Sequence, residues 1–132
     1  MANKAKGEVT VTLHGNDYVL HPTMDNIIKF IGDNNVSLTI VTTQLGSAML
    51  NIIDVCKIIY GFVSDEQRKE IDERAKEMLE KDVYIHLAKE ALVTGELRVQ
   101  EQIKPFATML LPFCNGKKEG DESEKKTEST PK

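Results

Sequence analysis

Three histidines (His14, His21 and His86), two cysteines (Cys56 and Cys114) and one acid set inside an apolar run (Asp54) are the residues here whose types suit chemistry. Imidazoles serve acid–base transfer and zinc, and thiolates serve attack and metals. A buried carboxylate must be paired or neutralised, or it marks a site. Spacing then narrows the field. There is no CxxC, no pair of histidines at metal-ligand spacing, no glycine-rich phosphate loop and no nucleophile elbow. His14 and His21 fall on one face of a hairpin but at opposite ends of it, too far apart at about 3.4 Å per residue to share a metal. His86, next to Tyr84 and Ile85, stands among helical core positions; a general base there would also need an orienting partner. Asp54 has Asn51 three residues before it and Lys57 three after, which reads as a polar stripe on a helix. The expectation is a non-enzyme with no catalytic, cofactor-binding or metal-binding residues.

The elements that must position any site fit in one domain, because 132 residues suffice for a modest core. A net charge of -4 gives no electrostatic grip on nucleic acid or anionic lipid, which needs clustered Lys and Arg. The amino terminus shows no positively charged start followed by an apolar stretch. The two cysteines are therefore expected as free thiols in a reducing cytoplasm. The most apolar window, Ala48 to Val63, spans about 24 Å as a helix, short of a hydrocarbon core of about 30 Å, and carries Asp54 and Lys57. It reads as a buried core helix, and no membrane partner is expected.

The stretch GEVTVTLHGNDYVLHPTMD, Gly7 to Asp25, alternates apolar and polar residues about a turn. With Gly15 and Asn16 as a two-residue turn, Leu13 pairs with Tyr18 and Val11 with Leu20, over strands Glu8 to His14 and Asp17 to His21. In that register His14 lies opposite Asp17, and His21 opposite Thr10. The polar face takes Thr10, Thr12, His14, Asp17 and His21, leaving an edge to which another chain could add a strand.

Helical pattern follows. Thr23 caps a short helix through Phe30 and Ile31 that Gly32 closes. Val36 to Gly46 is rich in β-formers, yet Leu38, Val41 and Leu45 keep helical spacing and Ser37 can cap it. Ala48 to Phe62 is the central helix. Ser64 opens the next with a capping box to Gln67, and Ile71, Ala75, Met78 and Leu79 form its apolar stripe. Glu70 with Arg74, and Asp72 with Lys76, have pairing spacing on its solvated face. Asp82 to Thr94 is amphipathic, with Val83, Leu87, Ala91 and Leu92 buried and Gly95 as its stop. The fold class is mainly α: an N-terminal β-hairpin, about five helices and a disordered C-terminal tail. Its domain plan is a flexible segment 1–6, a single helical domain over 7–116 and a polyampholyte tail over 117–132. That tail has five lysines, five acids and no large apolar side chain.

Between Pro105 and Pro112 lies a run without charge. Phe106, Met109, Leu110, Leu111 and Phe113 surround a helix there, whereas a terminal surface helix needs only one apolar stripe. These five are the expected partner-binding residues, since Met and Phe adapt to amphipathic helices of varied sequence. The competing expectation is that the run inserts as core between the hairpin and the central helix.

Gly7, Glu8, Val9, Val11, Leu13, Gly15, Tyr18, Leu20, Pro22 and Thr23, followed by Ser37, Leu38, Asp54, Tyr60, Gly61 and Phe62, carry a resemblance. In order and spacing they resemble the tail-assembly family of gene transfer agents and related tailed prophages, over roughly Gly7 to Val63. The chain departs from the family at Asn35, where Gly is common, and in its Thr-rich second helix. Family members are labelled tail tube protein or tail assembly chaperone. The resemblance implies a chaperone in the bacterial cytoplasm that binds the tape-measure protein and helps recruit tail tube subunits, with self-association compatible with that role. The alternatives are a tube subunit or a small phage-encoded inhibitory protein that binds one partner.

Overall fold

The computed structural model describes Asn3 and residues 6–116; the expected disordered tail over 117–132, and Met1, Ala2, Lys4 and Ala5 of the expected flexible start, lie outside the described residues. Two antiparallel strands, β1 (Val9–Leu13) and β2 (Asn16–Leu20), precede six helices: α1 (Met24–Asn34), α2 (Leu38–Gly46), α3 (Ile52–Phe62), α4 (Asp65–Glu77), α5 (Val83–Thr94) and α6 (Glu96–Asn115). The protein is mainly helical, as the periodicity predicts. Among the described residues no helix is long and apolar enough to cross a membrane.

The hairpin presents the expected faces in a different register. Its two turn residues are His14 and Gly15, at φ 49° and 82°. Positive φ at both central positions makes a type I′ turn, whose twist matches that of the strands. Leu13 therefore faces Asn16, Val11 faces Tyr18 and Val9 faces Leu20. Moving the turn back by one residue slides the pairing by two, so sidedness survives, and Val11, Leu13, Tyr18 and Leu20 are all buried. The polar pairs change with it: Thr12 lies opposite Asp17 and bonds it at 2.6 Å, and His21 meets Glu8 instead of Thr10.

Two glutamines hold the hairpin to the helices. Gln102 of α6 accepts from the Thr12 amide at 2.8 Å and donates to the Thr12 carbonyl at 3.0 Å, on the outer edge of β1. Gln67 of α4 accepts from the Val19 amide and donates to the Asp17 carbonyl on the edge of β2. A carboxamide offers the same donor and acceptor as a peptide, so each stands in for a neighbouring strand. The His21 amide bonds the Phe62 carbonyl at 2.8 Å. The edge expected to be open to another chain is thus engaged at Thr12, Asp17, Val19 and His21. Gln67 also explains half of the expected capping box: its amide bonds the Ser64 hydroxyl, but its side chain goes to β2 instead of reaching back.

Helix ends follow local chemistry with three differences, and one helix differs in its buried face. Thr23 and Ser37 cap α1 and α2 as expected, by bonds to the Asn26 and Ile40 amides. Gly32 does not close α1; Asn35 does, at φ 52°, three residues later. The central helix starts at Ile52 and not Ala48, because Ala48 adopts φ 55° and Asn51 caps α3 through the Asp54 amide. α4 stops at Glu77, so Met78 and Leu79 leave its stripe; Leu79 sits in a left-handed corner, 90% exposed. On α5 the buried face is rotated from the expected one: Leu87 and Ala91 are buried, but Leu92 is exposed while His86 and Glu90 are inside. Gly95 ends α5 as expected.

The core runs as an aromatic chain from α1 through α3 to α6. Phe62 lies 5.3 Å from Phe30 and 5.0 Å from Phe106 between ring centroids. Gly61 permits this approach, since a Cβ there would stand 2.9 Å from the Phe30 ring. Arg68 of α4 closes α3 by donating to the carbonyls of Tyr60, Gly61 and Val63. The expected pairs Glu70–Arg74 and Asp72–Lys76 do not form; Asp72 accepts from the Tyr60 hydroxyl, and Arg74 turns to Glu90.

Candidate functional site

The five residues expected to bind a partner divide by the rotation of α6. Phe106 and Leu110 are fully buried, Phe106 edge-on to Phe62, so this part of the run is core. Met109 is half-buried against the hairpin side, where a Cβ at Gly7 would come within 3.6 Å of it. Leu111 and Phe113 remain on the surface, 45% and 40% exposed. Pro105 and Pro112 lie within the helix on its exposed side. Each removes one amide donor, and the carbonyls released are those of Glu101 and Thr108, both exposed residues that water can reach. The 20-residue helix therefore continues through both prolines to present Leu111 and Phe113 beyond the core.

The histidines separate. His14 is exposed in the turn, with its amide bonded to the Thr94 hydroxyl at 2.7 Å. His21 bonds Glu8 through Nδ1 at 2.9 Å. The Asn3 amide first, and then the His21 ring, holds the Glu8 carboxyl below its ordinary 4.5. Asp54 is half-exposed in the first turn of α3, and the Asn51 expected to share its stripe is the cap of that helix. Cys56 is fully buried, and desolvation pushes its thiol up to about 12, out of the range of a nucleophile. Cys114 donates to the Thr42 hydroxyl.

His86 belongs to a cluster that sequence spacing does not reveal. It is 5% exposed, with Nδ1 2.7 Å from Glu80 and Nε2 3.4 Å from Glu90. The Tyr18 hydroxyl donates to Glu90 at 2.6 Å, Arg74 donates to the Tyr18 hydroxyl, and Arg74 Nε stands 3.5 Å from Glu90. Lys89 pairs with Glu80. Burial first, and then the Glu90 carboxylate, pushes the Tyr18 phenol far above its ordinary 10.0. Hydrogen bonds from Lys89 and then His86 hold the Glu80 carboxyl below 4.5. Arg74, Glu80, His86, Lys89 and Glu90 line a cavity of about 400 Å³ together with Met78 and Val93.

The pairing of His86 with Glu80 resembles the orientation a general base needs. Its other nitrogen, Nε2, is buried 3.4 Å from the Glu90 carboxylate without a hydrogen bond among the described residues. What the cluster does physically is join hairpin, α4 and α5, because Tyr18, Arg74 and His86 meet the buried Glu90 carboxylate from three elements. Its only signal in the sequence is the i,i+4 spacing of His86 and Glu90, because Tyr18 is 72 residues from Glu90. Among the described residues no group of three or more His, Cys, Asp or Glu side chains is placed to hold a metal ion. No family model, curated protein or solved structure matches this chain.

Proposed function

We propose that the chain is a phage or gene-transfer-agent tail assembly protein, a chaperone that binds the tape-measure protein and helps recruit tail tube subunits. The observation that carries this reading is architectural. The protein is mainly helical, and the one sheet among the described residues is two-stranded, with both edges engaged by side chains of α4 and α6. A tube wall stacked from sheets needs far more strand than this, which favours the chaperone over the tube subunit. The positions that carry the family resemblance also have physical roles in this fold. Gly15 makes the turn, Thr23 and Ser37 cap helices, and Gly61 lets Phe30 close on α3.

The partner surface in this reading is the exposed end of α6, Leu111 and Phe113, with Met109 at its edge. The experiment is co-expression with the tape-measure protein, followed by light scattering of the purified complex. Many copies of the chain per tape-measure molecule are expected. A discrete 1:1 complex with another protein would instead support the inhibitory reading. Changing Leu111→Ser together with Phe113→Ser should abolish co-purification while leaving the unfolding midpoint within a few degrees, since both side chains are already partly in water. Retained co-purification in that folded double variant would remove this surface from the proposal.

A further inference from the structure

We propose that the cleft between the hairpin turn and the corner joining α5 to α6 binds a small organic acid, its carboxylate on Arg98 and His14 and its apolar stem on Val93. The cleft measures about 480 Å³. Its walls are held together by the His14 amide, bonded to the Thr94 hydroxyl at 2.7 Å, and by Gln102, which pairs with both backbone groups of Thr12. A cleft formed before its ligand arrives avoids the cost of ordering it. Arg98 is the one residue of formal charge in the lining, and no acid shares it. Of the three arginines in the chain, Arg68 donates to the end of α3 and Arg74 to Tyr18, whereas no group among the described residues pairs with Arg98. The helix dipole disfavours a cation in the first turn of α6, so Arg98 gains nothing from its place in the helix.

A guanidinium meets a carboxylate through two parallel N–H donors. The His14 ring, exposed and without a partner among the described residues, supplies one more N–H, and Gln102 keeps a second N–H besides the one given to Thr12. Val93, 67% exposed, is the one large apolar side chain in the lining. The neighbouring acids are occupied elsewhere: Glu80 by Lys89 and His86, Glu90 by Tyr18, and Asp17 by the Thr12 hydroxyl. Glu96 and Glu101, the acids nearest to Arg98 along α6, lie outside the lining. One formal cation suits a monoanion, and a phosphate dianion would leave a negative charge unmatched in a protein of net charge -4. The volume falls within the range of about 300–1,000 Å³ of small-molecule sites, in which a few convergent donors fix the ligand. The cleft lies at the opposite end of α6 from Leu111 and Phe113, so this inference is independent of the function proposed above.

The test titrates the full isotope-labelled chain with sodium butyrate at neutral pH and constant ionic strength, with sodium chloride as the control. Amide shifts in NMR should saturate with butyrate and centre on Thr12, Gly15, Thr94 and Arg98, and chloride should leave them in place. Acetate, which lacks the stem, and phosphate, whose charge exceeds that of the lining, should both bind more weakly. Arg98→Gln should weaken butyrate binding roughly tenfold or more, the scale of a hydrogen bond to a charged group. His14→Asn, which keeps a residue able to hold the left-handed turn, should weaken it about threefold. Lys104→Gln, at an exposed cation further along α6, should leave it unchanged and separates a bound carboxylate from a general attraction. Circular dichroism checks that each variant is folded. No saturation by about 100 mM butyrate, an equal response to chloride, tighter binding of phosphate, or equal losses in Arg98→Gln and Lys104→Gln would each overturn the proposal. Tighter binding of the blocked dipeptide acetyl-Val-Glu would place the carboxylate on a protein partner and overturn the small acid as ligand.

Discussion

At the scale of single residues, Glu8 and Glu80 are the carboxyls whose native partners should make stability fall in acid. Both carboxyls are held below 4.5, Glu8 by the Asn3 amide and His21, Glu80 by Lys89 and His86. A carboxyl with a depressed folded-state pKa binds protons more readily in the unfolded chain, so its contribution is present above about pH 4.5 and is lost as pH falls through the folded value. Thermal unfolding from pH 7 down to pH 3 should show a falling acid limb that Glu80→Gln makes shallower. The variant should be less stable than the parent at pH 7 and approach it in acid. An acid limb of unchanged slope in both Glu80→Gln and Glu8→Gln would remove these two carboxyls as its source.

At the scale of elements, the hairpin depends on its two glutamines, because an isolated pair of strands is marginal in water. Gln102→Leu keeps a side chain against β1 but strands the Thr12 amide and carbonyl, which are only part-buried. The expected loss is about 1–3 kcal/mol. Hydrogen exchange should localise it, with the Thr12 amide exchanging faster and the Val19 amide, held by Gln67, keeping its protection. Equal acceleration at both would mean that the hairpin opens as one unit and that the clamps do not act separately.

For the molecule as a whole, α6 joins core and surface, and its two faces should respond differently. Phe106→Ala removes a fully buried ring from the chain that runs through Phe30 and Phe62. It should cost about 3–5 kcal/mol, with the midpoint falling by more than about 10 °C. The surface changes at Leu111 and Phe113 should not move it by that amount. A Phe106→Ala protein with an unaltered midpoint would mean that α6 is not part of the cooperative core.

Features set within a few residues were legible in the sequence. The caps at Thr23, Ser37 and Ser64, the stop at Gly95 and the buried side of each strand all follow from neighbours in the chain, so pattern and side-chain type suffice. The register of the hairpin was not legible. It turns on whether His14 or Asn16 joins Gly15 in the turn, and that choice is made together with partners outside the hairpin: Thr94 on the His14 amide, Gln102 on Thr12 and Glu90 on Asn16. The face of α5 was hidden for the same reason. Burying Glu90 and His86 while Leu92 is left in water runs against hydropathy, and it becomes favourable only where Tyr18, Arg74 and Glu80 meet them from other elements. The split of the C-terminal run into core and surface likewise rests on packing against α2, α3 and the hairpin. By itself the sequence determined the caps at Thr23, Ser37 and Ser64, which side of each strand is apolar and that the chain is mainly helical, since these depend on local backbone preference. Only the tertiary structure decided which polar groups are buried and which apolar groups are left for partners, because the energy of burying a group is set by neighbours that sequence distance does not reveal.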